Sequence, residues 1–239
     1  MKVLLAGSLE YSDCDQPAAT LNVACGAPED MKQARDVTWH YIPRNLPASW
    51  WLPTDVTTPA SWWLAEYGWS IEDIFIGMAL RPAPGYTVNF DSPPELTIVP
   101  CTTEEHICDV GRVIASPHVD EQPREAKVLA QAYRSAARPI LAGEDGLKVW
   151  IGYVDGQPVS TIAAISQDNT AGMYGLTTVP ECRHKNYAQA TFFKALEYIV
   201  GTGCELITLQ AASGGVTIYN EAGFIPVNQF VLWNNKALL

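Results

Sequence analysis

The chain has 239 residues, of which 48% are hydrophobic and only 17% are charged, so it can bury a sizeable core. This composition excludes a disordered chain, a collagen and a coiled coil. The net charge of -11 disfavours nucleic acid as the main partner, because phosphate binding depends on Lys and Arg. A cationic or small polar partner suits this charge better.

Cysteine spacing and hydropathy bear on the compartment of the protein. The six cysteines contain no C-x-x-C pair, and no His lies close enough to complete a zinc site, so we expect reduced thiols and no metal. The apolar run after Met1 is broken by Glu10 and Asp13, which is atypical of a secretory signal. No stretch approaches the ~20 apolar residues of a membrane span. We expect a cytoplasmic protein that does not contact a membrane.

The sequence pattern of the N-terminal part of the chain predicts a small α/β region. The patterns predict strands at 20–25, 49–52 and 71–80, and helices at 28–40 and 59–67. Pro and Gly then cluster at 81–85 and 91–94 and bracket a short extended piece at 86–90. We place a boundary there, which divides the chain into a subdomain at 1–92 and a domain at 93–239.

The second part begins with one strand and two helices, continues with several strands, and ends with alternating helices and strands. The patterns predict strands at 96–99, 148–154, 159–166, 173–179, 206–210 and 224–233, and helices at 102–115, 123–138, 185–200 and 216–222. Thr102 followed by Glu105 predicts a capping box at the start of the first helix. Asp155-Gly156 between two apolar runs predicts a hairpin turn.

The tight basic cluster of this acidic chain is Arg183, His184 and Lys185, between the strand at 173–179 and the helix at 185–200. A helix N-terminus offers unpaired N–H groups and the positive end of the helix dipole, which together suit a pyrophosphate. The alternative is a charged turn that is merely solvated.

The segment 179–188, V-P-E-C-R-H-K-N-Y-A, resembles the acetyl-CoA loop of the GNAT acetyltransferase superfamily, whose pattern is R/Q-x-x-G-x-G/A. Arg183, Asn186 and Ala188 occupy the three positions of this pattern. Asn186 stands where the family usually has Gly. Asn is the side chain that best tolerates the left-handed backbone region, so we expect the loop to keep its conformation.

A second segment, 209–224, is similar to the later strand and helix of the family and to its Y-x-x-x-G-F ending, which Tyr219, Gly223 and Phe224 match. Two linked motifs in the right order are more specific than either alone. The resemblance implies an α/β (α+β) fold with a mixed, mostly antiparallel central sheet flanked by helices. Residues 1–92 are similar to a degenerate N-terminal GNAT-like half without its own acetyl-CoA loop.

The resemblance also implies acetyl-CoA as co-substrate and assigns residues to it. Backbone of Thr177, Thr178 and Val179 would pair with the pantetheine arm like an added strand. The pyrophosphate would be held by the loop residues Arg183, His184, Lys185, Asn186, Tyr187 and Ala188. The side chains of Arg183 and Lys185 would bind the ribose phosphate or only keep the loop solvated.

The family assigns the general acid to the Tyr that matches Tyr219. A cysteine-like thiol has a pKa near 8.5 and a Tyr near 10, so we expect Tyr219 to protonate the leaving thiolate without a strongly perturbed pKa. Its alternative role is packing. The strands predicted at 159–166 and 173–179 contain no carboxylate, so the general base is not identified. Tyr174 would relay the proton to an ordered water or pack in the core.

The turn at 116–123 joins two helices that line the acceptor entrance in similar proteins. His118, Asp120 and Glu121 would attract a cationic amine there or form a solvated loop. The sequence predicts an N-acetyltransferase that moves acetyl from acetyl-CoA to a small-molecule or peptide amine by direct attack in a ternary complex. A non-catalytic acyl-CoA-binding or interaction module, and transfer to a hydroxyl or of a longer acyl group, stay open, as does the oligomeric state.

Overall fold

The computed structural model describes residues 2–54, 59–120, 122–143 and 146–239. In chain order the strands of these residues are β1 (Lys2–Ala6), β2 (Leu9–Asp13), β3 (Val23–Cys25), β4 (Ser49–Pro53), β5 (Ser70–Leu80), β6 (Thr97–Pro100), β7 (Leu147–Val154), β8 (Gln157–Gln167), β9 (Thr170–Thr178), β10 (Leu206–Ala211) and β11 (Ile225–Asn234). The α-helices are α1 (Met31–Tyr41), α2 (Ala60–Glu66), α3 (Glu104–Ala115), α4 (Pro123–Ala142), α5 (Tyr187–Gly201) and α6 (Val216–Glu221).

The chain divides into two compact units that interleave in sequence. The first comprises Met1–Gly77, Gln210–Val216 and Pro226–Leu239, and the second comprises Met78–Leu209 and Thr217–Ile225. The division into domains at 1–92 and 93–239 stays a prediction. The compact units differ from it because two late segments pack with the N-terminal one.

The first unit is a sheet whose strands follow the order β1-β2-β3-β4-β11-β5. Alternate residues of a strand point to one face, and on β4 those residues are Trp50 and Leu52. Both are buried in one cluster with Val37 of α1, Leu64 of α2 and Trp233 of β11. The two helices therefore cover this face of the sheet and form its core.

The hairpin of β1 and β2 has no counterpart among the predicted strands. A charged cluster of Asp13, Arg44 and His40 stabilises the end of this hairpin. Asp13 is buried, and its Oδ2 lies 2.6 Å from the Arg44 guanidinium and 2.9 Å from His40 Nε2. Burial raises the pKa of Asp13, but hydrogen bonds from Arg44, from the Asp15 amide and from His40 outweigh it and hold the pKa well below its usual range. This carboxylate stabilises the cluster as an anion.

The second unit contains strands in the order β10-β9-β8-β7-β6. The β9–β10 pair is parallel and the other pairs are antiparallel. On β7, Val149 and Ile151 pack in the cluster of α3 and α4, whereas the Trp150 ring lies 5.4 Å from that of Tyr198 on α5. Helices therefore flank both faces of this sheet.

Several local predictions are confirmed and one is wrong. Asp155 and Gly156 both have positive φ, 49° and 73°, as a two-residue hairpin between β7 and β8 requires. Helix α3 is capped by Thr103 and not by Thr102, because the Thr103 side chain accepts the hydrogen bond from the His106 amide at 3.2 Å. The fold class is confirmed: a mixed, mostly antiparallel sheet is flanked by helices.

Candidate functional site

Strand β9 leaves its parallel neighbour partway along its length. The pairing with β10 runs from Thr170 opposite Leu206 to Met173 opposite Leu209 and ends there, whereas the pairing with β8 continues to Thr178. Within the described residues, 175–178 therefore has a ladder partner on one side only. Such an edge leaves backbone N–H and C=O groups for an extended ligand.

A bulge lies where this open edge begins. Thr161 pairs with Thr177 and Ala163 with Tyr174, so β9 contains one residue more than β8 over this interval. Gly175 within the bulge has φ of 65°, which glycine adopts at little cost. The apolar pattern predicts a regular strand at 173–179. Gly175 within that pattern is the sequence signal for the bulge, because a glycine inside a strand often marks one.

The loop after β9 leaves a run of amides unpaired. The first turn is closed because the Val179 amide donates to Val159, the Cys182 amide to Val179 and the Arg183 amide to Pro180. The next six amides, at 184–189, donate to no acceptor in the part of the chain that the structure describes, and the ladder of α5 resumes where the Ala190 amide donates to Asn186. These donors are available to an anion.

The conformation of the loop keeps the amides open. His184 and Asn186 both have φ of 62°, in the left-handed region. Asn186 is the N-cap residue of α5 but its side chain accepts no amide hydrogen bond, whereas Asp30 and Thr103 do cap α1 and α3. The prediction that Asn186 can adopt the conformation of the usual glycine is consistent with this φ value.

Buried hydrogen bonds fix the start of α5 against the sheet. The hydroxyls of Ser160 on β8 and Thr191 on α5 lie 2.6 Å apart, and the Thr191 hydroxyl also donates to the carbonyl of Tyr187 at 2.8 Å. The Tyr187 hydroxyl donates to Glu95 Oε1 at 2.8 Å. Both Ser160 and Thr191 are fully buried, so these contacts hold the open loop at a fixed place beside β8. The sequence pattern gives no signal for this pair, because the two residues are 31 positions apart in the chain.

The side chains of the loop face solvent. Arg183, His184, Lys185 and Asn186 are exposed, whereas Tyr187 is buried. Thr178 is also buried, and its hydroxyl oxygen is one of the buried polar atoms without a partner in the described chain. The predicted cofactor residues therefore lie along one continuous stretch, from the bulged strand to the first turn of α5.

Tyr219 is held in an apolar environment on α6. It is 8% exposed, its ring lies 5.0 Å from that of Phe192 on α5, and its hydroxyl makes no hydrogen bond to any described residue. Burial raises the pKa of Tyr219 to about 12. The expectation that this pKa is not strongly perturbed is wrong, because a phenolate loses its hydration in this environment.

The other predicted site residues are more exposed. Tyr174 is 44% exposed at the start of the bulge, so it is not a core residue. His118 is half-buried in the turn after α3, and its carbonyl accepts from the Gln122 amide at 2.8 Å. Asp120 is exposed. Glu121, the other predicted acceptor-binding residue, lies outside the described residues.

The described residues contain neither a metal-binding cluster nor a membrane-spanning helix. Among residues 2–54, 59–120, 122–143 and 146–239, no group of three or more His, Cys, Asp or Glu side chains could hold a metal ion. No helix within these ranges combines the length and apolarity needed to cross a membrane.

Comparisons with known proteins bear on the family and the fold. The family model described as "Acetyltransferase (GNAT) family" matches residues 112–224. A comparison with curated proteins finds no match.

Solved structures match over nearly the whole chain. A GCN5-related N-acetyltransferase from Kribbella flavida has 18% identity and a TM-score of 0.67, and the match covers 98% of this chain and 88% of that one. A conserved protein of unknown function from Staphylococcus epidermidis has 13% identity, a TM-score of 0.68 and coverages of 98% and 94%. A tandem GNAT protein from the clavulanic acid biosynthesis pathway has 12% identity, a TM-score of 0.59 and coverages of 97% and 81%. These similarities show the fold.

Proposed function

We propose that this protein transfers an acetyl group from acetyl-CoA to an amine in a ternary complex, because residues 112–224 match the model of the GNAT acetyltransferase family. The observation that carries the proposal is the continuity of unpaired backbone groups. The open edge at 175–178 is followed, after the closed turn at 179–183, by the loop whose amides at 184–189 have no acceptor among the described residues.

The chain fits the two polar parts of acetyl-CoA. Amides at a helix N-terminus bind phosphate, so the six free amides suit the diphosphate, with Arg183 and Lys185 exposed beside them. The pantetheine arm contains amide groups that pair with an open strand edge in the manner of an added strand. In this proposal Thr177 and Thr178 supply the open edge, and Val179, whose amide already donates to Val159, would offer its remaining backbone groups next to the loop.

Tyr219 suits a role as a hydrogen-bond donor to sulfur. Its pKa of about 12 keeps the phenol neutral at all physiological pH values. Full proton transfer to a thiolate with a pKa of about 8.5 is uphill by about 3.5 pK units, or about 5 kcal/mol. Tyr219 therefore donates to the sulfur while negative charge develops on it, which lowers the barrier without full release of its proton.

The proton balance follows from this role. The amine nitrogen attacks the thioester carbon, the carbon–sulfur bond breaks, and the positively charged nitrogen of the intermediate loses a proton. Neither β8 nor β9 contains a carboxylate, so we propose that this proton passes to water near Tyr174 and that the thiolate recovers one proton. The products are an amide and the free thiol of CoA.

The second candidate is a module that binds acyl-CoA without catalysis. The observation that favours it is the same lack of a carboxylate on β8 and β9. Transfer to a hydroxyl, or of a longer acyl chain, would use the same backbone groups. Alcohols as acceptors, and longer acyl-CoA thioesters in place of acetyl-CoA, test these two alternatives in the thiol-release assay described next.

The experiment combines calorimetry with an assay for released thiol. Acetyl-CoA and CoA should bind, and a panel of amines should release thiol from acetyl-CoA. Binding without release against amines and alcohols would support the module. An absence of binding would reject both candidates.

A variant at the loop tests the amides directly. Pro is tolerated in the first turn of a helix and has no N–H, so Ala188→Pro removes one donor. A charge-assisted hydrogen bond contributes about 1.5–3 kcal/mol, so CoA affinity should fall about 10- to 100-fold. The matched control is Ala188→Ser, which keeps the amide and should keep the affinity.

A further inference from the structure

One buried carboxylate in the second unit has no partner among the described residues. The buried acidic side chains of the described chain are Asp13, Asp109 and Glu125. Asp13 has the partners given above, and Asp109 accepts from the Tyr153 hydroxyl at 2.8 Å and from Arg112 at 2.6 Å. Glu125 is only 7% exposed, yet no described residue makes a hydrogen bond or ion pair with it. Removing a carboxylate from water without a partner is strongly unfavourable.

A capping role does not explain Glu125. It is the third residue of α4, the position from which a Glu side chain can accept from the amide of the N-cap residue. That amide belongs to Gln122 and already donates to the carbonyl of His118 at 2.8 Å. The helix dipole favours an acid here, but its effect is small beside the loss of hydration of a carboxylate.

Neighbouring cations do not neutralise Glu125 either. Arg124 and Lys127 are exposed, and residues one and two positions apart on a helix do not face each other. The side-chain polar atoms of the described chain that are both sealed from solvent and without a hydrogen-bond partner are Thr178 Oγ1 and Trp233 Nε1. The oxygens of Glu125 also lack a partner but are not among them, so they keep some contact with solvent. Glu125 is therefore screened from bulk water but still accessible to a small ligand.

The packing of α3 and α4 puts Glu125 at the end of this helical hairpin that contacts β9. Gly111 of α3 lies against Tyr133 and Ala130 of α4, and this register sets the first turn of α4 beside the last turn of α3. In that last turn, the Ile114 side chain lies about 3.6 Å from the place a Cβ on Gly175 would take. Gly175 is the bulge residue of β9, so Glu125 belongs to the same end of the unit as the open strand edge.

We propose that Glu125 binds an ammonium group of the acceptor and makes the enzyme selective for amines that carry a second positive charge, such as diamines. The proposal rests on the proposed acetyl transfer. The reacting nitrogen must be uncharged when it attacks, and a carboxylate would hold it as an ammonium, so the group that Glu125 binds is the second, unreactive one. The excess of acidic residues favours such a dication.

The kinetic test uses two acceptors of equal length, 1,4-diaminobutane and 1-aminobutane, with saturating acetyl-CoA. The wild type should use the diamine with a kcat/KM about 10- to 100-fold higher, as expected for one charge-assisted contact. Glu125→Gln should bring the ratio close to one while leaving the affinity for CoA unchanged. The control Glu105→Gln, at an exposed position on the first turn of α3, removes the same charge and should keep the ratio.

Two binding and stability readouts separate the inference from the proposed function. Calorimetry in the presence of CoA should show that the diamine binds to the wild type and not to Glu125→Gln. If the diamine binds in this way but no acceptor is acetylated, the proposed acetyl transfer is rejected and the ammonium site is retained. The variant without ligand should melt about 2–4 °C higher, because an unpaired buried charge is removed. A lower melting temperature with an unchanged ratio, or a wild-type ratio near one, would overturn the inference.

Discussion

Replacing Tyr219 by Phe removes one oxygen atom and leaves the packing in place. The ring contacts with Phe192 and Phe224, at centroid distances of 5.0 and 6.3 Å, are retained. The hydroxyl has no partner in the described chain, so its loss should change the free energy of unfolding by less than about 0.5 kcal/mol at neutral pH. The rate should fall about 10²–10⁴-fold, as when a catalytic proton donor is lost, with CoA binding retained.

The raised pKa of Tyr219 gives a second signature of the same variant. The pKa is about 12 in the folded protein and about 10 in the unfolded chain, so above pH 10 the unfolded state ionises first. The stabilising contribution is fully present below pH 10 and is lost as the pH rises from 10 to 12. Relative to Tyr219→Phe, the free energy of unfolding of the wild type should be lower by about 1.4 kcal/mol at pH 11 and unchanged at pH 8.

The assay combines steady-state thiol release with urea unfolding at pH 8 and pH 11. Tyr86→Phe is the matched control, because the Tyr86 hydroxyl donates to the Ala222 carbonyl at 2.7 Å next to the end of α6. That control should lose about 1 kcal/mol of stability and keep its activity. Unchanged turnover of Tyr219→Phe would remove the phenol from the mechanism.

Three further variants test the scaffold of the site and the first unit. Asn186→Ala should lower the free energy of unfolding by about 1 kcal/mol, because Ala is disfavoured at a φ of 62°. Asn186→Gly should keep both the stability and the affinity for CoA. Thermal unfolding measures the stability of both variants, and calorimetry measures their affinity for CoA. Thr191→Val should lose about 1–3 kcal/mol in urea because it leaves the buried Ser160 hydroxyl without its partner. Asp13→Asn should lower the free energy of unfolding by about 2 kcal/mol at neutral pH. The difference from the wild type should shrink as the pH falls below about 4, because the Asp13 carboxyl of the unfolded chain takes up a proton before that of the folded protein; guanidinium unfolding at several pH values measures this.

The sequence was most informative where local chemistry decides the structure. The hairpin at Asp155-Gly156 and the helix α5 follow from turn residues and apolar spacing, and both occur in the structure. The β1–β2 hairpin was not predicted, because its exposed residues Val3 and Leu5 do not alternate with polar ones in the usual way. Its stability depends on Asp13 and Arg44, which are distant in sequence.

The site was predictable in its motifs and not in its energetics. Arg183, Asn186 and Ala188 marked the loop because a phosphate-binding backbone leaves a residue pattern. The raised pKa of Tyr219 depends on the rings around it, and the isolation of Glu125 depends on which partners fail to reach it. Periodicity reports which residues are buried, but it does not report whether a buried polar atom is satisfied.

Unpaired polar groups also explain why stability and activity should separate in this protein. Folding normally satisfies buried donors and acceptors, since each unsatisfied one is unfavourable. In the part of the second unit that the structure describes, the amides at 184–189, the Tyr219 hydroxyl and the Glu125 carboxylate have no hydrogen-bond partner, and the edge at 175–178 has a ladder partner on one side only. Beside them, the hydroxyls of Ser160 and Thr191 are paired with each other. A diphosphate, an amide-containing arm, a developing thiolate and an ammonium would each supply one missing partner. Variants of Tyr219 and Glu125 should therefore reduce activity or selectivity while keeping or raising stability. A variant of Thr191 should instead reduce activity because it lowers the stability of the fold.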